Sequence, residues 1–557
     1  MLPPEQVADL TRQAIRAAQA AGDLPSFEIP EVTVQPPRRP EHGDLSTSVC
    51  LQMARLAKRS PMQIAAQVAE HMPEAEMIGT VDVAPPGFLN FSYAPAWLAQ
   101  QVEVIRAAGE VWGRVDLGHG KRTQVEYGSA NPTGPLHVGF GRNVVLGDGI
   151  ANVLEAAGYD VQREYYVNDA LTQVEHLADS MDARYRQLLG QDVPFPENGY
   201  PGQYVVDWAQ EVIDAEGDRY LHLPAKKCRA ALAEIGLNKA LTSIRADCAR
   251  LNLNYDHWFS ERSLYAGKTY EEALQILDEG GWLYQAEGAT WFKATAFGEP
   301  KDEVVIRSSG LPGYFASDIA YHYDKVALRG FEWVIDVWGA DHQGHVQRMY
   351  AMMRALGLDP ETLTLLIYQM VTIIKGGETV VLSKRKGNLV FLKEILDDVG
   401  PDATRFFLLQ RSADSQMDFD VDLAKKQSLE NPVYYVQYAH ARTASVLRTA
   451  VERGWTSWED GDVGLLGHEA ELALIRKMLQ LPEIIARAAT DLAPHHLCYY
   501  AQELASALHT FYQECRVLSS EPGDTALTKA RLKLCEAAKH VLANTLRTIG
   551  VSTPERM

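Results

Sequence analysis

The most constraining feature of this chain is a short run of strand-forming residues, Thr123 to Tyr127, that passes through a Gly/Pro-rich loop into a helical pattern from about Leu136 to Ala157. Strand, tight loop and helix in that order make a βα unit, and such a unit buries its strand only inside a sheet covered by helices. Further strand candidates at Val304 to Arg307, Trp333 to Val337 and Leu363 to Gln369 are separated by helical segments such as His345 to Leu356. That alternation predicts a doubly wound, mostly parallel α/β sheet. A mostly helical stretch from about 171 to 296 interrupts it and reads as an insertion.

The chain has 557 residues, more than the roughly 250–300 at which a single hydrophobic core stops growing. The first hundred residues hold an opening helix, a Pro-rich passage from Pro36 to Pro40, a second helical segment between Ser46 and His71, and strand-like runs at Val81 to Val83 and Phe88 to Phe91. They read as a small α+β module over 1–112, with a glycine-rich linker at Gly113 to Gly120. The α/β region is expected over 113–422. Beyond it strand signals vanish, and amphipathic stretches such as Leu466 to Leu481 and Leu527 to Ile549 predict a helical bundle over 423–557.

No stretch of about 18 uninterrupted apolar residues is present to span a bilayer, and Met1 to Ala20 lacks the basic segment and apolar run of a secretory signal. The expected location is cytoplasmic. Cys50, Cys228, Cys248, Cys498, Cys515 and Cys535 are scattered without a CxxC pair, so they read as reduced, mostly buried thiols. The formal charge of −20 weighs against a nucleic-acid partner, because phosphate neutralisation needs basic surface. Local basic clusters at Arg38-Arg39, Lys226-Lys227, Lys384-Arg385-Lys386 and Lys425-Lys426 keep that class open.

Three segments point to chemistry. Glu126 to Arg142 lies between strand and helix; Gly134 and Gly139 permit close backbone approach, the helix start offers N–H groups to phosphate, and His137 can face that phosphate. Far downstream, Val381-Leu-Ser383-Lys384-Arg385-Lys386-Gly387-Asn388 is a basic loop able to fold over a triphosphate. Either segment alone reads as structure or solvated surface. Asp341-His342-Gln343-Gly344-His345 contains zinc-type ligands, yet no HExxH pattern or cysteine pair accompanies them.

Together the first two segments resemble, in the correct order, the two signatures of class I aminoacyl-tRNA synthetases. The strings Ser129-Ala-Asn-Pro-Thr-Gly-Pro-Leu-His137, Glu164-Tyr-Tyr-Val-Asn168-Asp169, Trp338-Gly-Ala-Asp341-His342-Gln-Gly-His345 and Asn431-Pro-Val-Tyr-Tyr-Val-Gln437-Tyr-Ala-His440-Ala-Arg442 resemble the arginyl-tRNA synthetase family. The resemblance runs from about His42 to the C-terminus. It implies a Rossmann-type catalytic sheet with an insertion, an N-terminal tRNA-contacting module and a helical anticodon-binding domain. It implies ATP-dependent activation of L-arginine and transfer to the terminal 2′-hydroxyl of arginine tRNA, by a monomer, with Mg²⁺ arriving on ATP and no resident metal. His137 and Lys384 are implied as catalytic residues. ATP is implied to meet Ser129, Gly134, His137, Gly139, Gly339, Asp341, Ser383, Lys384 and Lys386. Arginine is implied to meet Glu126, Asn131, Tyr314, Asp318, Asp341 and His342, and tRNA to meet Asn431, Tyr435, Gln437, Tyr438, His440 and Arg442. Two positions depart from the signatures: Phe140 replaces the second histidine of the first, and Val381 the first lysine of the second. These departures also suit a synthetase-like protein that binds tRNA or nucleotide without aminoacylating.

Overall fold

The computed structural model of the chain describes residues 2–170, 172–380 and 390–557. Its N-terminal part opens with α1 (Pro3–Ala21), which starts on a proline and stops where Gly22 turns left-handed. β1 (Leu45–Thr47), α2 (Val49–Ala57), α3 (Pro61–Glu70), β2 (Ile78–Ala84) and β3 (Phe88–Tyr93) follow. The strands form an antiparallel sheet in the order β1-β3-β2. The single helical segment expected over Ser46 to His71 is two helices, because Ser60 caps a new one whose first residue is Pro61. Val7, Ile15, Met53, Ile64 and Phe91 give this part its own core. α4 (Pro95–Ala108) leads out of it.

The α/β region begins with β4 (Arg122–Glu126), α5 (Val138–Ala156) and β5 (Asp160–Val167). α5 packs on β4 because Gly147 has no side chain: a Cβ there would lie 2.2 Å from Tyr127. Next come α6 (Thr172–Leu188), α7 (Gln203–Glu216), α8 (Ala225–Arg250), β6 (His257–Ser260), α9 (Glu261–Ala266) and α10 (Thr269–Glu279). β7 (Leu283–Ala286), β8 (Ala289–Phe292) and β9 (Glu303–Ile306) make a small antiparallel sheet. α11 (Tyr314–Tyr323), a π-turn over Asp324–Leu328, β10 (Trp333–Gly339), α12 (Val346–Ala355) and β11 (Leu363–Tyr368) complete the central layer. Among the described residues the central sheet has the order β11-β10-β4-β5-β6, every pairing parallel.

Two expectations need correction. The interruption over 171–296 is not one helical insertion, because β6 lies within it and pairs with β5 as an edge strand of the central sheet. The run Val304 to Arg307 is extended as expected, but as β9 it pairs antiparallel with β8 and stands outside that sheet.

β12 (Val371–Lys375), β13 (Glu378–Val380), α13 (Leu392–Val399), α14 (Pro401–Leu409), β14 (Met417–Asp420) and α15 (Val421–Lys425) follow. The chain ends in helices α16 (Pro432–Glu452), α17 (Glu469–Leu479), α18 (Leu481–Thr490), α19 (His495–Glu514) and α20 (Thr525–Thr548). This bundle shares one apolar core with α4 and α5: Leu98, Val102, Val145, Leu497, Leu534 and Leu546 belong to it. The fully buried Arg405 ties the parts together, donating to the carbonyls of Leu251 (2.7 Å) and Ile549 (3.0 Å) and to Asp148.

Candidate active site

Chain order runs outward from β4 to β5 and β6 on one side, and from β10 to β11 on the other, so the winding reverses between β4 and β10. Open parallel sheets hold ligands at the carboxyl ends of strands at such a reversal. A cavity of about 1100 Å³ opens there, bounded by the loops after β4 and β10, by α11 and by the small sheet.

The sheet register places Asp336, Glu126, Glu164 and His257 side by side on β10, β4, β5 and β6. Neighbouring strands lie about 4.8 Å apart, so three buried carboxylates in one row repel strongly unless cations separate them. The π-turn after α11 supplies the cations. Lys325, fully buried, donates to Glu126 Oε2 (2.6 Å) and Asp336 Oδ1 (2.8 Å). Arg329 forks onto Glu164 at 3.0 and 2.5 Å, and His257 and Tyr321 donate to the same carboxylate at 2.7 and 2.6 Å. Burial raises the Glu164 carboxyl, but hydrogen bonds from His257 and Arg329 outweigh it and hold the group at about 2. His322 bonds Asp336 Oδ2 (2.8 Å), and together with Lys325 it keeps Asp336 at about 2 against the effect of burial. Glu126 goes the other way: burial, with the charge of Asp336, raises it despite Lys325.

The cavity wall above this row carries several residues expected from sequence. Glu126, Asn131, Tyr314, Asp318, Asp341 and His342 all line it. Glu126 is already engaged, since Ser129 Oγ donates to its other oxygen at 2.9 Å. The Asp318 carboxylate has no hydrogen-bond partner among the described residues, and burial raises it above the usual range. Tyr314 is 66% exposed at the rim, with the Arg307 guanidinium 5.0 Å from its ring centre. Asn131 accepts from Asn168 at 3.0 Å.

At the loop after β4, His137 caps the start of α5, and a Cβ at Gly139 would come within 3.0 Å of its ring. Phe140 packs on that imidazole with ring centres 4.6 Å apart and lines the cavity itself. Ser129 adopts a left-handed backbone (φ 45°) that aims Oγ at Glu126 while accepting from the Tyr166 N–H at 3.1 Å. Gly339 lets Asp341 fold back, as a Cβ there would sit 2.5 Å from Asp341 Oδ1. Gly134 is not among the residues lining the cavity, and a Cβ there would lie 2.8 Å from the ring of Tyr204. Ser383, Lys384 and Lys386, with Val381, lie outside the described residues. Asp341, His342 and His345 form no metal-holding group among the described residues.

Of the residues expected to meet tRNA, three have their polar atoms engaged internally. Asn431 caps α16 and donates to the carbonyls of Ala424 and Lys426, both at 3.0 Å. Gln437 donates to Asp402 (2.8 Å), and His440 bonds the Pro554 carbonyl (2.9 Å). Asn431 thus secures α16 to the end of α15, while His440 and Gln437, which also donates to the Ser552 carbonyl (3.1 Å), secure it to the C-terminal tail. Tyr435, Tyr438 and Arg442 remain part-exposed on the bundle. Tyr438 stacks with Tyr434 (6.4 Å) and His509 (5.8 Å), while Arg442 covers Tyr512 (4.7 Å).

The sequence reading missed Lys325, Asp336 and Glu261. A lone acid inside the apolar strand Trp333-Val-Ile-Asp336-Val-Trp is the signal that could have found the first two, because a buried carboxylate requires a buried cation.

A parallel sheet with its cavity at the β4/β10 reversal, a histidine-bearing loop opening α5 and a helical bundle behind it define a class I aminoacyl-tRNA synthetase. Family models agree: an arginyl tRNA synthetase N-terminal domain matches residues 5–93, a class I (R) tRNA synthetase catalytic domain 101–421, and a DALR anticodon binding domain 436–557. The arginine–tRNA ligase of Dehalococcoides mccartyi strain CBDB1 is 48% identical over 545 residues, covering 98% of this chain and 97% of its own. That of Heliobacterium modesticaldum is 48% identical over 551 residues, again 98% and 97%. The solved arginyl-tRNA synthetase of Thermus thermophilus superposes with a TM-score of 0.75 at 22% identity over all of both chains. The chain belongs to the arginyl-tRNA synthetase family.

Proposed function

We propose that the chain joins L-arginine to arginine tRNA at the expense of ATP. The carboxylate of arginine attacks the α-phosphate of ATP, forming arginyl-adenylate and releasing pyrophosphate. The 2′-hydroxyl of the tRNA's terminal ribose then takes the arginyl group and AMP leaves. Neither step needs a covalent enzyme nucleophile, so catalysis rests on orientation and on stabilising charge on the phosphates. His137 and the amides opening α5 meet those phosphates, Ser383, Lys384 and Lys386 supply them with hydrogen bonds and positive charge, and Mg²⁺ comes with the nucleotide. Tyr435, Tyr438 and Arg442 offer stacking and phosphate contacts to tRNA.

The observation that carries the arginine assignment is the part-buried carboxylate of Asp318, which lines the cavity and has no hydrogen-bond partner among the described residues. Guanidinium is planar, permanently charged and rich in donors, and a part-buried carboxylate without such a partner is its complement. Charging assays against each amino acid, with pyrophosphate exchange run with and without tRNA, test the proposal. Arginine alone should be transferred, and exchange should require tRNA. Exchange without any transfer would favour a nucleotide-binding protein that does not aminoacylate. No described helix is long and apolar enough to cross a membrane. We read the chain as a cytoplasmic monomer, which light scattering and fractionation check.

A further inference from the structure

Tyr204 stands near the start of α7, outside the cavity, and touches three parts of the chain. Its ring packs edge-on against Trp208, ring centres 4.9 Å apart, and Trp208 belongs to the core that α6, α7 and α8 form with Leu177, Val205 and Leu232. Its hydroxyl donates to the Thr133 carbonyl at 2.9 Å, in the loop between β4 and α5. Burial pushes that hydroxyl above its usual range, so it keeps the proton it donates. A Cβ on Gly134 would lie 2.8 Å from both the ring and the hydroxyl oxygen, so the loop passes over the tyrosine only because residue 134 is glycine. The same ring meets Phe391 edge-on at 6.2 Å. Phe391 lies in the segment that pairs with His137, where the Val138 N–H donates to the Val390 carbonyl (3.0 Å) and the Leu392 N–H to the Leu136 carbonyl (2.8 Å).

We propose that Tyr204 is a positioning residue for adenylate formation, which fixes from α7 the loop that presents His137 and the amides opening α5 to the phosphates of ATP. This rests on the reaction proposed above. The loop's own bond, from the Thr133 N–H to the Asn131 carbonyl at 2.8 Å, is a local turn: it sets the loop's shape but not its place. Tyr204 ties that turn to a packed core, and its ring sits between the turn and the segment at Phe391 that flanks His137 on the other side. Both approaches to His137 thus lean on one side chain. Tyr200, four residues earlier, adds a second link from the same stretch by donating to Gln173, which lines the cavity. Because Tyr204 does not line the cavity itself, it acts through where the loop lies. A misplacement of about 1 Å at reacting groups can cost on the order of a hundredfold in rate. The charge that develops in this step is on the phosphates, so the loss falls on kcat and not on the affinity for arginine. The same contact accounts for a glycine at position 134, where no cavity wall requires one.

The experiment uses the full-length protein and arginine-dependent pyrophosphate exchange with arginine tRNA present. Tyr204→Phe keeps the ring and its packing but removes the bond to Thr133. It should lower the kcat of exchange about tenfold, leave the arginine KM within about twofold and move the unfolding temperature by no more than about two degrees. Gly134→Ala pushes a methyl against the ring, so it should lower kcat at least tenfold in the parent but less than twofold in a Tyr204→Ala background, where the clash is gone. A Tyr204→Phe kcat within twofold of the parent, a fall in unfolding temperature without a fall in kcat, or the same cost of Gly134→Ala in both backgrounds would each overturn the proposal. If Tyr204→Phe does not fold, Gly134→Ala in the parent decides: a lowered kcat at an unchanged arginine KM supports the positioning role, and a kcat within twofold overturns it. The parent protein separates the two readings. No exchange with arginine in the parent takes down the proposed reaction and this role with it; normal exchange in both the parent and Tyr204→Phe removes the role of Tyr204 alone.

Discussion

Asp318 and Glu126 bring the same charge to one cavity in different states of engagement, and this separates their mutants. The Asp318 carboxylate has no hydrogen bond among the described residues to lose. Asp318→Asn should therefore lower kcat/KM for arginine about ten- to hundredfold, as removal of one charge-assisted bond does, while thermal unfolding stays within a degree or two. Glu126→Gln should lower kcat/KM and the unfolding temperature together, because it breaks the pair with Lys325. If the two variants show the same combination of effects, this division is wrong. Lys325 gives the sharper test: Lys325→Met leaves Glu126 and Asp336 facing each other in a buried row, and removing one partner of a buried pair costs about 3–5 kcal/mol. Urea unfolding should show that loss in the midpoint; a midpoint unchanged from the parent would contradict the role given to Lys325.

At the scale of elements, the row across β10, β4, β5 and β6 makes stability depend on acid. Glu164 is held at about 2, below the ordinary glutamate value of about 4.3. A carboxyl depressed on folding contributes stability that is complete above its unfolded value and is lost as pH falls toward its folded one. Stability should thus decline between about pH 4.5 and 2, and in Glu164→Gln that part of the decline should be missing, although the variant starts lower at pH 7. Urea midpoints across this range check it, and parallel curves would refute it. The strands at Thr123, Trp333 and Leu363 were legible because β-branched and aromatic runs bounded by turns are local signals. β6 was not: His257 to Ser260 is four residues without alternation, following a long helix. Val304 to Arg307 was legible as extended, yet its partner is a matter of tertiary pairing that no local pattern carries. In the site, the Gly/Pro loop announces itself by its local pattern, and Tyr314 and Asp318 by the family resemblance. Lys325 and Glu261 look like ordinary surface charges of helices until the fold buries them.

For the whole molecule, the net charge of −20 and a polyanionic partner are reconciled only by local surface. Tyr438 and Arg442 lie part-exposed among stacked rings on the bundle, so Tyr438→Ala with Arg442→Ala should weaken tRNA binding at least tenfold and flatten its salt dependence. Arginine affinity should be unchanged. Filter binding over a salt series measures this, and full affinity in the double variant would move the interface elsewhere. Cutting the chain at Asn431 would be a poor test of that interface, because the bundle shares the core of α4. Leu98 and Val102 share that core with Leu534 and Leu546, Lys533 pairs with Glu103, and Asn544 donates to the carbonyls of Gly109 and Trp112 at 2.9 Å. During synthesis, α4 leaves the ribosome long before α20. At about 5–20 residues per second the wait is on the order of tens of seconds. Throughout it the part of the apolar face of α4 that α20 covers has no partner, and a nascent chain in that state is a client for chaperones until its last helix arrives.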